Sequence, residues 1–155
     1  IGRLQTNKVK YLVGTVDLIE SVDRMELLET IDKLAQKRGV VQRILLEVNI
    51  AGQESKAGFT ADEAAQLAAK MGDYPGVKLC GLMAIPPVSE HPGDNRIFFR
   101  QMRQLFVDIK GKTYDNVAME CLSMGMSDDY PDAIAEGSTM IRVGTAIFGA
   151  RHYNT

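Results

Sequence analysis

The sequence predicts an α/β fold built on a parallel sheet, and three observations carry that prediction. Apolar, β-rich runs alternate with stretches whose apolar residues recur at helical spacing. The runs are apolar almost without interruption, as expected of strands covered on both faces. Repeated β-then-α units of this kind build either a doubly wound sheet or a barrel, and composition does not separate the two.

In chain order, strands are expected within residues 16–22, 44–50, 77–85, 117–122 and 140–148. The first helix places Leu27, Leu28, Ile31, Leu34 and Ala35 on one stripe. Asp23, with Glu26 three residues on, should open it, and Gly39 should close it. Thr60-Ala-Asp-Glu63 is a second capping box, leading into Ala64, Leu67, Ala68 and Met71. A third stripe runs through Phe98, Met102, Leu105 and Ile109 and ends at Gly111. A short helix is expected after Asp128, with Pro131 in its first turn and Gly137 at its exit. No linker, low-complexity tract or internal repeat divides the chain, so a single domain is expected over residues 1–155.

Composition excludes several classes of function. The chain is 45% hydrophobic and 25% charged, with a mean hydropathy of −0.10, as in ordinary globular proteins. No apolar run approaches the roughly 20 residues of a membrane span. A net charge of −2 offers no broad field for nucleic acid, and the basic stretch from Lys8 to Lys10 is too short to track a phosphate backbone. Cys80 and Cys121 lie in apolar runs without CxxC spacing, which reads as buried free thiols in a reducing compartment, the cytoplasm. The chain opens on Ile-Gly-Arg-Leu rather than methionine, so it reads as a piece whose first residues finish a strand.

Two successive turns carry the strongest signal for chemistry. In Gly137-Ser-Thr-Met-Ile-Arg-Val-Gly-Thr-Ala-Ile-Phe-Gly149 a strand runs into Gly144-Thr145, where backbone N–H groups could face an anion without a Cβ in the way. One strand earlier, Leu122-Ser-Met-Gly-Met-Ser127 sets a hydroxyl at a strand's C-terminal end. The loops after the last two strands of a (β/α) barrel commonly hold a phosphate. Competing readings are plain: Gly144-Thr145 as a tight turn, and Ser127 as a helix cap. Arg142 sits inside an apolar strand, where a guanidinium needs either a function or a salt bridge to a neighbouring strand.

Other residues carry less. His91, in a Pro- and Gly-containing loop, and His152, near the terminus, have no companions at metal-ligand spacing. No GxSxG elbow surrounds Ser123 or Ser127, and no histidine stands near to activate them. Lys56 follows a strand and reads first as a solvated loop lysine. Met83, Met124 and Met126 lie at strand ends, where core packing is the ordinary role.

These segments also resemble a known family. Ile1-Gly-Arg-Leu-Gln-Thr-Asn-Lys8, Ser21-Val-Asp-Arg24, Val48-Asn-Ile50, Glu54-Ser-Lys-Ala-Gly58, Gly81-Leu-Met-Ala-Ile85, Leu122-Ser-Met-Gly-Met-Ser127 and Ile141-Arg-Val-Gly-Thr-Ala-Ile-Phe-Gly149 are similar, in order, to the pyridoxal-phosphate homeostasis proteins. That family is related to the N-terminal barrel of alanine racemase. One departure is Glu20, where a histidine is common.

The resemblance implies a TIM-type (β/α)8 barrel, present here without its first strands, because such a barrel needs roughly 200–250 residues. It also implies pyridoxal 5′-phosphate as cofactor, with the Schiff-base lysine on a strand upstream of Ile1. Ser127, Gly144 and Thr145 would bind the phosphate, and Arg142 would face the pyridine nitrogen. Met83 and Met126 are taken with them as candidate cofactor contacts. Arginine can only donate to that nitrogen, which leaves the ring a weaker electron sink than one paired with aspartate.

The implied function is a non-catalytic carrier that buffers the cofactor and delivers it to apo-enzymes, with no second β-domain following. The alternatives are a racemase-like pyridoxal-phosphate enzyme and a phosphate-binding barrel enzyme of aldolase type. A monomer is expected of the full-length protein, and self-association of this chain alone, through uncovered strand edges.

Overall fold

Five parallel strands lie side by side in chain order: β1 (Leu18–Val22), β2 (Gln42–Glu47), β3 (Val77–Met83), β4 (Val117–Met126) and β5 (Met140–Arg142). The computed structural model describes residues 2–53, 55–89 and 91–149, so His152 lies outside the described residues. A doubly wound sheet reverses its strand order at a switch point. The order here never reverses, which is the order of a barrel.

The sheet also curls. Ser123 on β4 donates to Glu20 on β1 over 2.7 Å, although three strand spacings separate them, about 14 Å in a flat sheet. A serine and a glutamate cannot bridge that gap unless the strands wrap toward one another. The described chain is therefore a five-stranded parallel half-barrel.

Two apolar layers follow from the curl. The convex face packs Ile19, Ile44, Leu46, Leu79, Leu82 and Leu122 against the helices, in one cluster with Leu27, Leu28, Ile31, Phe99 and Met102. The concave face holds a smaller cluster of Leu45, Cys80, Met83 and Cys121, flanked by Leu18, Ile85 and Met140. Both cysteines are free and buried there, and burial pushes the Cys121 thiol up.

The helices are α1 (Met25–Arg38), α2 (Ala61–Ala68), α3 (Arg96–Lys110), α4 (Tyr130–Ala135) and the single turn α5 (Thr145–Phe148). The Thr60 capping box closes reciprocally: the Glu63 amide donates to Thr60 Oγ1 over 3.2 Å, and the Thr60 amide donates to Glu63 over 2.8 Å. Gly39 ends α1 in the left-handed conformation, φ 66°.

Several expectations change. Arg24, not Asp23, precedes α1, and Asp23 is buried beside Arg24 and 3.2 Å from Arg3. A buried carboxylate between two cations is worth more as a counter-charge than as a cap. The buried stripe of α3 is Phe99, Met102, Phe106 and Ile109. It shares Met102 and Ile109 with the expected stripe but turns Phe98 and Leu105 to its margin, because adjacent aromatics at 98 and 99 satisfy the same spacing in either phase. Met71 is buried but sits in a 310 turn beyond α2.

The run 140–148 is a strand only to Arg142, then turns at Gly144 into α5. In the run 44–50, pairing with β3 ends at Glu47, and Val48 bridges Phe59 instead. β4 continues four residues past its expected end, to Met126. Among the described residues, Gly2–Gln5 form no strand, and Thr6–Tyr11 form a 310 helix.

Candidate functional site

The C-terminal ends of β4 and β5 set the site. β4 spends three residues between Ser123 and Met126 while β5 spends two between Met140 and Arg142. The extra residue makes a bulge at Gly125, whose φ is 92°. A Cβ at Gly125 would lie 2.6 Å from the Ala133 Cβ and 3.0 Å from the Tyr130 Cα. Glycine therefore lets α4 sit directly on β4, and Ser127 emerges at the rim facing the turn after β5.

Ser127 Oγ accepts from the Gly144 amide at 3.1 Å and from the Ala146 amide at 3.2 Å. Ser127 and Gly144 are thus brought together as the motifs suggested, and Thr145 opens α5, exposed. Gly144 adopts φ −120°, which any residue can adopt, and a Cβ there would meet nothing within 4 Å. Neither backbone strain nor packing accounts for the glycine. The Gly144 and Ala146 N–H groups converge on Ser127 Oγ, a point that a phosphate oxygen could take in its place.

Arg142 is buried, at 7% exposure, and makes no direct ion pair among the described residues. Its Nη1 donates to Ser123 Oγ at 2.5 Å and its Nη2 to the Ala84 carbonyl at 2.9 Å. Its Nε has no hydrogen-bond partner among the described residues. The neighbouring-strand salt bridge that competed for Arg142 is therefore replaced by a relay through Ser123 to Glu20. Burial lowers the Arg142 pKa, opposed by the carboxylates of Glu20, Glu47 and Asp129. Arginine keeps its proton under such conditions, so the site holds a buried cation whose Nε–H has no acceptor among the described residues.

A cavity of about 400 Å³ opens beside it, lined among others by Gly2, Arg3, Leu18, Glu20, Met83 and Arg142. Met83, 1% exposed, forms part of its wall. Glu47, at the end of β2, has its carboxyl pKa raised by burial and by Asp23, against the pull of Arg142 and Arg3. Ser127, Gly144 and Thr145 do not line this cavity. Met126 is half-buried and pairs with Arg142 in the sheet, its amide donating to Asp129 at 2.7 Å. The site thus has two parts: a rim cradle of N–H groups and hydroxyl, and an interior guanidinium bordering a cavity.

Lys56 is not the solvated lysine expected. Its ammonium donates to the carbonyls of Ile85, at 3.3 Å, and Pro86, at 2.9 Å, tying the loop after β2 to the loop after β3. Glu20 and Ser123, which the sequence reading gave no role, are the side chains that reach Arg142 across the sheet. The available signal was parity, since Glu20 shares its strand face with inward-facing Leu18, and Ser123 shares its face with Cys121. Among the described residues no His, Cys, Asp and Glu group could hold a metal, and no helix is long and apolar enough to cross a membrane.

The alanine racemase N-terminal domain model matches residues 2–152. The pyridoxal phosphate homeostasis protein of Aquifex aeolicus is 49% identical over 99% of this chain, which spans 66% of that relative's length. The structure of PipY from Synechococcus elongatus superposes with a TM-score of 0.85 without pyridoxal phosphate and 0.82 with it bound. The two structures are 34% and 32% identical to this chain, cover 96% of it, and are themselves covered to 69% and 68%. The chain belongs to the alanine racemase N-terminal domain family, among the pyridoxal phosphate homeostasis proteins.

Proposed function

We propose that this chain is the C-terminal portion of a single-domain (β/α)8 barrel, residues 1–155, that binds pyridoxal 5′-phosphate and hands it on without catalysing a reaction of its own. The observation that carries the reading is the buried Arg142 guanidinium with its unpartnered Nε, next to the Ser127, Gly144 and Ala146 cradle. An unspent buried donor costs stability unless a ligand takes it. A ring nitrogen is an acceptor of the right kind for that donor.

When bound, pyridoxal phosphate supplies an electron-withdrawing ring to any amine it meets. Every other contribution comes from the protein. Ser127 and the amides of Gly144 and Ala146 would hold the phosphate, with Thr145 at the same rim. Charge-assisted hydrogen bonds of this kind are about twice as strong as neutral ones. Arg142, permanently protonated, would donate to the ring nitrogen and keep a proton off it, while Met83 and Met126 would pack the ring. That arrangement weakens the ring as an electron sink, which favours holding over catalysis.

The homeostasis role named for the Aquifex relative and the pyridoxal phosphate bound to PipY support this reading. The recipients would be apo-enzymes that use the cofactor, in the cytoplasm, where two unpaired thiols are at home. A Schiff-base lysine would lie upstream of Ile1, and the full-length protein would be a monomer.

The test is direct. Pyridoxine 5′-phosphate, which lacks the aldehyde and needs no lysine, should bind saturably and be competed by inorganic phosphate. Incubating the full-length holo-protein with L- and D-amino acids should give no α-proton exchange at enzyme-like rates. Absence of saturable binding overturns the site, and steady exchange overturns the carrier reading in favour of a racemase-like enzyme.

A further inference from the structure

We propose that Glu20 is the positioning residue that makes Arg142 selective for a ring nitrogen, acting through the Ser123 hydroxyl. The inference rests on the binding function proposed above and assigns a part of that site that the cradle residues do not explain.

Glu20 on β1, Ser123 on β4 and Arg142 on β5 form one chain of contacts across the concave face: Glu20 Oε2 to Ser123 Oγ at 2.7 Å, and Ser123 Oγ to Arg142 Nη1 at 2.5 Å. The direction of each hydrogen bond is forced. A carboxylate only accepts and a guanidinium only donates, so the single Ser123 proton must point at Glu20. The Ser123 lone pair is then committed to Arg142. Ser123 is fully buried, so water offers its hydroxyl no second choice.

Glu20 thereby places negative charge within one hydroxyl of the guanidinium without touching it. A direct Glu20–Arg142 pair would let the carboxylate claim two N–H groups at once, in the bidentate geometry arginine favours. The interposed serine takes only Nη1, and the Ala84 carbonyl takes Nη2. Two corners of the plane are pinned, and the third, the buried Nε, has no acceptor among the described residues. Glu20 and Arg142 both line the 400 Å³ cavity, so the relay and its output share one space. Without Glu20, the Ser123 hydroxyl turns freely and the guanidinium swings toward Glu47 or Asp129, the other carboxylates that act on it.

The test compares two ligands that differ at one atom: pyridoxine 5′-phosphate and its counterpart with C–H in place of the ring nitrogen. Calorimetric titration of the wild-type chain should show a preference of about tenfold for the nitrogen form, the worth of one hydrogen bond to a charged donor. In Glu20→Ala the preference should fall below about threefold. Glu20→Gln, whose amide oxygen still accepts from Ser123, should keep most of it. In the ligand-free protein, the Arg142 Nε–H resonance should shift and exchange faster in Glu20→Ala than in Glu20→Gln.

A preference unchanged in Glu20→Ala overturns the proposal. Wild-type binding of both ligands with equal affinity overturns the role of Arg142 and the proposal with it, and binding of neither overturns the proposed function itself. Should Glu20→Ala not fold, Ser123→Ala carries the same comparison, because it removes the relay and keeps the carboxylate.

Discussion

Replacing Ser127 with alanine separates the two roles its hydroxyl can play. In the ligand-free protein Ser127 Oγ accepts from the Gly144 and Ala146 amides at 3.1 and 3.2 Å, which is what a helix cap does. A phosphate in the cradle would take those amides for itself and free the hydroxyl to donate. The wild-type protein therefore gives up two long neutral hydrogen bonds on binding, about 0.5 kcal/mol each, and gains a charge-assisted one of about 2 kcal/mol. Ser127→Ala forgoes both, for a net loss of about 1 kcal/mol. Affinity for inorganic phosphate and for pyridoxine 5′-phosphate should each fall about fivefold in calorimetric titration. Thermal unfolding should show the variant slightly less stable without ligand, and further behind the wild type at saturating phosphate. An affinity unchanged for both ligands, with the same loss of stability, would mean that Ser127 only caps α5.

Two further substitutions probe the frame of the site. Burial and Asp23 raise the Glu47 pKa, so the folded protein holds that proton more tightly than the unfolded chain. Its stabilising contribution is complete below the ordinary glutamate value of about 4.5 and is lost as pH rises through the raised value. Glu47→Gln should thus unfold at higher temperature than the wild type at pH 7 to 8 and show a flatter profile between pH 4.5 and 8. Parallel profiles would contradict this. Gly125→Ala must hold alanine at a φ of 92° with its Cβ 2.6 Å from that of Ala133. It should cost about 3 kcal/mol in denaturant unfolding, and a cost under about 1 kcal/mol would show that α4 gives way freely.

The alternation of strands and helices was legible because apolar runs and capping residues act locally. Thr60 and Glu63 needed nothing beyond four residues to declare a helix start. Arg142 stood out because a guanidinium in an apolar strand has few ordinary explanations. What eluded the sequence was phase and partnership. Phe98 and Phe99 offer α3 two nearly equal faces, and only the packing on β4 chooses between them. Asp23 resembles a cap by spacing, but Arg3 and Arg24 claim it in three dimensions. Lys56 looked solvated because carbonyls 29 and 30 residues away bind it.

Glu20 is the clearest case of information that the chain holds only when curled. In a flat sheet it would be an isolated half-buried acid, and its nearest cation would be a matter of chance. Wrapping five strands brings residue 20 to residue 123 and, through it, to residue 142. A buried arginine without a direct carboxylate is an expensive element for a fold to carry, since an apolar side chain of similar volume commonly serves stability as well or better. The arrangement commits Nη1 and Nη2 to protein acceptors and leaves the buried Nε without one among the described residues, which a purely structural arginine has no reason to do. The same geometry that weakens the case for Arg142 as a strut therefore strengthens it as a ligand contact, and it ties that contact to a carboxylate on the opposite side of the half-barrel.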